Sequence, residues 1–182
     1  MKYCSNCGSQ EIVHRTPTGD NRPRYVCDSC EIIHYQNPNI ICGTLPIHED
    51  KVLLCRRAIE PRKGLWTLPA GFMENGETTQ DGAARETWEE ALAKIELKGL
   101  YAIFNLPQIN QVYMFYRGHV IDGEFGVGEE SLEVALFKEE EIPWDELAFP
   151  TITRSLKFYF EDRIKGEYPV RVEDIHSPHR GK

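Results

Sequence analysis

Residues 71–93 read GFMENGETTQDGAARETWEEALA, a glycine-bearing loop that runs into an acidic helix. Thr78, Thr79, Gln80 and Asp81 have the [ST]-x-x-[DE] pattern in which side chains satisfy the first free amides of a helix. A helix is therefore expected over 79–93. At about 100° per residue, Glu86, Glu89 and Glu90 share roughly a third of its circumference. Ala84, Thr87, Trp88 and Ala91 follow the i, i+3, i+4, i+7 rhythm of a packed face. Three carboxylates crowded together repel one another unless a cation neutralises them. Hard oxygen donors at this density suit magnesium or manganese rather than zinc or copper. A plain solvated acidic face is the alternative reading.

Upstream, residues 41–47 (ICGTLPI) and 51–57 (KVLLCRR) read as strands joined by a turn at His48, Glu49 and Asp50. Downstream, strands are expected at 100–105, 111–120 and 133–137, and a closing helix at 151–166. Strands mixed with two helices suggest an α/β or α+β sandwich. Residues 167–182 lack periodicity and read as an irregular tail. No internal repeat is evident.

Ahead of this lies a cysteine-framed segment, 1–34, joined by the polar connector 35–39 (YQNPN). Cys4-x2-Cys7 and Cys27-x2-Cys30 have the spacing of two knuckles that set four thiolates around one zinc. Four sulfur ligands leave no open coordination position, so this zinc is structural. So short a segment has little core, and the metal would supply most of its stability. His14 and His34 read as packing or surface residues, and Cys42 and Cys55 as small buried hydrophobes.

Lys and Arg total 21 against 29 Asp and Glu, a formal net charge of −8. That argues against a non-specific nucleic-acid grip, which wants a basic surface. No stretch reaches the roughly 18 apolar residues of a membrane span, and no signal or transit pattern opens the chain. A cytoplasmic protein, without nucleic-acid or membrane partners, is the expectation.

The register of Gly71, Glu77, Arg85-Glu86 and Glu89-Glu90 resembles the Nudix box, G-x5-E-x7-R-E-U-x-E-E-x-G-U with U aliphatic. Six fixed positions match with both long gaps. Thr87, Leu92 and Ala93 depart from it, and none of the three is a metal ligand. The resemblance implies an α/β/α sandwich of α+β class over 40–166, with the zinc ribbon before it. It implies that Glu86, Glu89, Glu90 and the Gly71 carbonyl bind magnesium or manganese, and that Glu77 and Arg85 hold loop against helix. It further implies metal-assisted hydrolysis of a pyrophosphate bond in a small nucleotide and a homodimer.

Together with HYQNPN, LLCRRAIEPRKGLWTLPAGFMENGE, EESLEVALF and IPWDELAF, the chain is similar to zinc-ribbon Nudix hydrolases acting on FAD and ADP-ribose. The SQPWPFP-like stretch of the NADH branch is absent from residues 94–110, which read KIELKGLYAIFNLPQIN. A loop carboxylate outside the box serves as base in many members. Glu130 is the candidate here, with Glu129, Glu133 and Glu86 as rivals. Arg56 and Arg57 are candidate phosphate contacts, and Trp66, Phe72, Tyr101 and Phe104 candidate stacking partners for a base. Other readings are an NADH or nucleoside triphosphate pyrophosphatase, a nucleotide-binding regulatory module without turnover, and a zinc-ribbon RNA-binding protein. The complete set of box carboxylates speaks against the regulatory module. Only Arg15, Arg22 and Arg24 between the knuckles support the RNA-binding reading.

Overall fold

In the computed structural model, which describes residues 1–176, the chain divides into two units, Met1–Asn37 and a larger one beginning at Pro38. The first unit is an antiparallel sheet of three short strands, β1 (Ile12–Arg15), β2 (Arg24–Cys27) and β3 (Ile33–His34), with β2 in the middle. It buries only Cys4, Pro17, Val26 and Cys27. A core that small does not hold a fold without a cross-link or a metal.

Strand β5 (Lys51–Arg57) shows how the second unit is layered. Val52 and Leu54 join a core with Leu45, Phe104 and Phe115, and with Ile152, Leu156 and Tyr159 of helix α2 (Pro150–Lys165). Their neighbours Leu53 and Cys55 pack instead with Ala91 of helix α1 (Thr79–Ala91), Val120 and Val134. Successive strand residues face opposite sides, so the helices cover opposite faces of one sheet. The result is an α+β fold layered α/β/α.

The sheet runs β10 (Ser131–Phe137), β5, β4 (Asn39–His48), β9 (Gln111–Val120), β8 (Ile95–Leu106), β11 (Arg171–Asp174). The pairs β4–β9 and β8–β11 are parallel, the rest antiparallel. Strands β4 and β5 pair only beside their turn, at Ile47–Val52 and His48–Lys51, and then part. Two short strands take up the gap, β6 (Trp66–Thr67) against β5 and β7 (Ala70–Phe72) against β4. The cavity described below opens where the sheet splits.

Helix α1 begins as expected. Thr78 Oγ1 accepts from the Asp81 amide at 3.1 Å, and Asp81 Oδ2 accepts from the Thr78 amide at 3.3 Å. It ends at Ala91, short of residue 93, because Leu92 takes the left-handed cap conformation, φ 48° and ψ 28°. The glycine usual in the Nudix box suits such a cap, and here leucine adopts it at a conformational cost. Thr87 stands where an aliphatic residue is usual and is fully buried. Its hydroxyl donates to the Ala83 carbonyl at 2.7 Å and lies 2.6 Å from Thr44 Oγ1, so both buried hydroxyls are satisfied. Trp88 is a correction: it is 49% exposed, not part of the packed face.

The irregular tail is a second correction. Residues Arg171–Asp174 form an edge strand parallel to β8. Its inward residues are Arg171 and Glu173, while Val172 is 62% exposed. The hydrophobic alternation is thus inverted, and ion pairs of Arg171 with Asp162 and Glu173 with Arg154 hold the strand instead. The rest of that expectation, 177–182, lies outside the described residues. Among the described residues no helix is long and apolar enough to cross a membrane.

Candidate functional site

Arg85, on the first half of α1, organises the acidic wall. Its Nε and Nη2 donate to the two Glu77 oxygens at 3.0 and 2.9 Å, and Nη2 also donates to the Phe72 carbonyl at 3.1 Å. Nη1 donates to Glu86 at 2.7 Å and to Glu89 at 2.9 Å. One guanidinium therefore ties the loop to the helix and gathers two of the three carboxylates. Hydrogen bonding to Arg85 holds Glu77 down to about 2.

Glu86 lies against Gly71, where an added Cβ would come within 2.4 Å of the carboxylate. Only a glycine leaves room for that side chain. Burial is the first cause raising the Glu86 carboxyl, against the pull of Arg85. Glu90 is 7% exposed, and burial, then the charge of Glu86, push its carboxyl up to about 8. A half-buried and a buried carboxylate raised in this way are what a cation would relieve.

The end of α1 carries the loop that follows β9. Gly126 N–H donates to the Ala91 carbonyl at 2.7 Å and Gly128 N–H to the Glu90 carbonyl at 3.1 Å. These amides satisfy carbonyls that the helix end leaves free. A Cβ on Gly128 would sit 1.8 Å from the Glu89 carbonyl oxygen. Gly126 and Gly128 thus cap the end of α1. Two residues on, the Glu130 carbonyl accepts from Ala58 N–H at 2.8 Å, and the Glu130 charge helps raise both Glu86 and Glu90.

These groups line one cavity of about 700 Å³. Gly71, Phe72, Glu86, Glu89, Glu90, Arg57 and Glu130 all border it. Of the loop candidates only Glu130 does so, while Glu133 pairs with Arg56 at 3.5 Å. Arg56 lies outside the cavity, with Nε donating to the Gly64 carbonyl at 2.9 Å. Adjacent strand residues point to opposite sides, and Arg57 is the one that faces in. It gives Nε to the Pro61 carbonyl at 2.9 Å and stacks 5.2 Å from the Phe149 ring. Trp66 is also placed elsewhere, 6% exposed and edge-on to Phe137 in the core, as Tyr101 and Phe104 are buried there. Phe72 is 57% exposed on the cavity wall.

Sequence reasoning missed Tyr113, Met73, Ile59, Thr151 and Ile175, which also border the cavity. Tyr113 sits on β9, where alternation alone marks it as facing one side. Ile175 follows the strand whose pattern is inverted, and nothing local signals it.

The donor set fits a hard divalent cation: carboxylate oxygens, two of them raised chiefly by burial and then by neighbouring carboxylates. They spread along the wall, with Arg85 holding Glu86 and Glu89. Among the described residues only the four cysteines bring three or more ligand atoms within 4.8 Å of one another. Cys4 and Cys30 sulfurs lie 3.7 Å apart and Cys7 and Cys27 sulfurs 3.6 Å. A zinc with Zn–S of about 2.3 Å sets tetrahedral edges of about 3.8 Å, so this cluster fits zinc. His34 Nε2 lies 3.4 Å from Cys4 Sγ, which makes it a partner of a ligand rather than a fifth ligand.

A family model described as Nudix N-terminal matches residues 2–36, and one described as NUDIX domain matches residues 40–161. A crystal structure of a NUDIX hydrolase from Nitrosomonas europaea is similar at TM-score 0.94 and 53% identity, covering 97% of this chain and 100% of that one. An ADP-ribose pyrophosphatase of Methanocaldococcus jannaschii is 31% identical over 124 residues, 63% of this chain and 69% of that protein. The NAD-capped RNA hydrolase NudC of Vibrio parahaemolyticus is 31% identical over 91 residues, 50% of this chain. That match spans only 32% of the NudC length.

Proposed function

Because this chain belongs to the NUDIX domain family of hydrolases, we propose that it cuts the pyrophosphate bond of a nucleoside diphosphate-X compound, with ADP-ribose and FAD as substrates and AMP as a product. The observation that carries this reading is the shared cavity: three helix carboxylates, Glu130, Arg57 and the exposed Phe72 ring around one space of about 700 Å³. Such a volume suits a nucleotide-sized ligand.

In this reading Glu86, Glu89, Glu90 and the Gly71 carbonyl would hold magnesium. When bound, that ion would supply neutralisation of phosphate charge and a lowered pKa for the attacking water. Glu130 takes the proton from that water and orients it. Arg57, fixed through Nε to Pro61, offers its remaining guanidinium nitrogens to phosphate oxygens. Phe72 supplies a ring face for the base. Arg85 positions carboxylates and touches no substrate. The cysteines hold a structural zinc. By family analogy the active form is a cytoplasmic homodimer, and light scattering reads the oligomeric state.

The measurement is kcat/KM with magnesium for ADP-ribose, FAD, NADH, a nucleoside triphosphate and an NAD-capped oligoribonucleotide. ADP-ribose is expected to yield AMP and ribose 5-phosphate, FAD to yield AMP and FMN, and NADH to be poorer. Clear preference for NADH, a triphosphate or the capped RNA overturns the substrate assignment. Glu130→Gln should lower kcat and leave metal affinity nearly unchanged. If Glu129→Gln or Glu133→Gln is the damaging change, the residue is misassigned.

A further inference from the structure

We propose that the substrate site continues into a second, basic basin that takes a phosphate ester carried on the X portion of the substrate, beyond the pyrophosphate that is cut. This inference rests on the nucleoside diphosphate-X reading above. The basin has a volume of about 630 Å³ and shares Phe149 and Pro150 with the catalytic cavity, so the two are neighbours across that step. Arg62, Arg154 and Lys157 border it against a single acid, Glu161. In a chain of net charge −8, such a local excess of cations is the feature to explain.

Arg154 is engaged by Glu173, but Arg62 and Lys157 have no ion-pair partner among the described residues. Two uncommitted cations of this kind match a phosphate, the arginine through its fork and the lysine as a point charge. The Phe149 and Phe158 rings border the same space and give the intervening sugar an apolar surface. Among the described residues, the catalytic cavity is bordered by two cations, Arg57 and Arg85, and the carboxylates occupy Arg85. A second phosphate on the substrate therefore has its counter-charge in this basin.

The test compares kcat/KM for ADP-ribose and for ADP-ribose bearing a phosphate ester on its distal ribose, at low ionic strength. The wild type should favour the phosphorylated compound by roughly five- to tenfold. The double variant Arg62→Gln, Lys157→Gln should lose that preference and turn over plain ADP-ribose as before. Inorganic phosphate should compete the preference away without slowing ADP-ribose. Equal values for the two compounds in the wild type, or an equal loss on both in the variant, overturn the proposal. Phosphate binding with no preference for the phosphorylated compound also overturns it, since the basin then serves the free ion only. Failure of the wild type to hydrolyse ADP-ribose at all sinks the parent reading instead.

Discussion

Gly71 borders the cavity and Gly128 packs against the last turn of α1, and a side chain on each would fail differently. At Gly71 the added Cβ meets the flexible end of Glu86 at 2.4 Å, whereas at Gly128 it meets the Glu89 carbonyl oxygen, fixed in helix backbone, at 1.8 Å. Gly128→Ala should thus cost on the order of 3 kcal/mol of stability, a Tm drop of roughly 6–12 °C. Gly71→Ala should keep the fold and lower kcat by displacing Glu86. Thermal unfolding and saturating-metal kinetics on both variants decide it, and equal losses of Tm refute the distinction. Glu90 shows the related conflict between burial and chemistry. The residue is 7% exposed and its carboxyl is pushed up to about 8, so the metal-free fold gains nothing from the charge. Glu90→Gln should leave metal-free stability unchanged or higher while turnover falls on the order of a thousandfold. Near-normal activity of Glu90→Gln at saturating magnesium contradicts a metal-binding role.

At the scale of elements, α1 is tied to its preceding loop by the pairing of Arg85 with Glu77. Arg85 holds the Glu77 carboxyl down to about 2, against an ordinary value of 4.5. A carboxyl depressed on folding stabilises the fold fully above its ordinary value, and the contribution is lost as pH falls through the folded value. Loop and helix should therefore part between about pH 4.5 and 2. Glu77→Gln should flatten the slope of Tm against pH in that window, and an unchanged slope argues against the assignment. The three-stranded unit depends on a different kind of tie. With Cys4 and Cys27 making up half of its four buried residues, its inside is largely its metal site. One zinc per chain is expected by elemental analysis. A chelator or Cys27→Ser should unfold this unit, read by thiol titration and amide exchange. No zinc, with four freely titratable thiols in the folded protein, ends that reading.

At the scale of the molecule, the sheet is closed at one edge by a strand with the wrong pattern of polarity. Asp162 of α2 is 1% exposed, accepts from the Tyr101 hydroxyl at 2.8 Å and pairs with Arg171 of β11. Removing Arg171 leaves a buried carboxylate with one neutral donor. Truncation after Gly166, or Arg171→Met, should cost on the order of 3 kcal/mol, or roughly 6–12 °C in Tm. Truncation also removes Ile175 from the cavity wall, so it alone should raise KM as well. A truncated enzyme with wild-type Tm and KM denies the strand both roles.

What the sequence determined by itself is local or periodic. Thr78 and Asp81 start α1, Glu77 and Arg85 meet across eight residues, and Glu86, Glu89 and Glu90 share a side of one helix because 3.6 residues per turn puts them there. The paired cysteines carry their geometry in their spacing, and the β-prone run in 111–120 marks β9 with its observed ends. Tertiary structure alone decided membership of the cavity. Period-two strand geometry says that one of Arg56 and Arg57 faces it but not which one. The split between β4 and β5 sends Arg57 and Phe72 inward and leaves Trp66 in the core. Glu130, rather than Glu129 or Glu133, borders the cavity because Gly126 and Gly128 dock their loop on the end of α1. Strand β11 stayed hidden because its inward residues are charged, and their partners Asp162 and Arg154 come from another element. A helix face or a knuckle follows from covalent geometry repeated over a few residues, whereas a cavity is made by elements far apart in the chain, and no local pattern encodes their meeting.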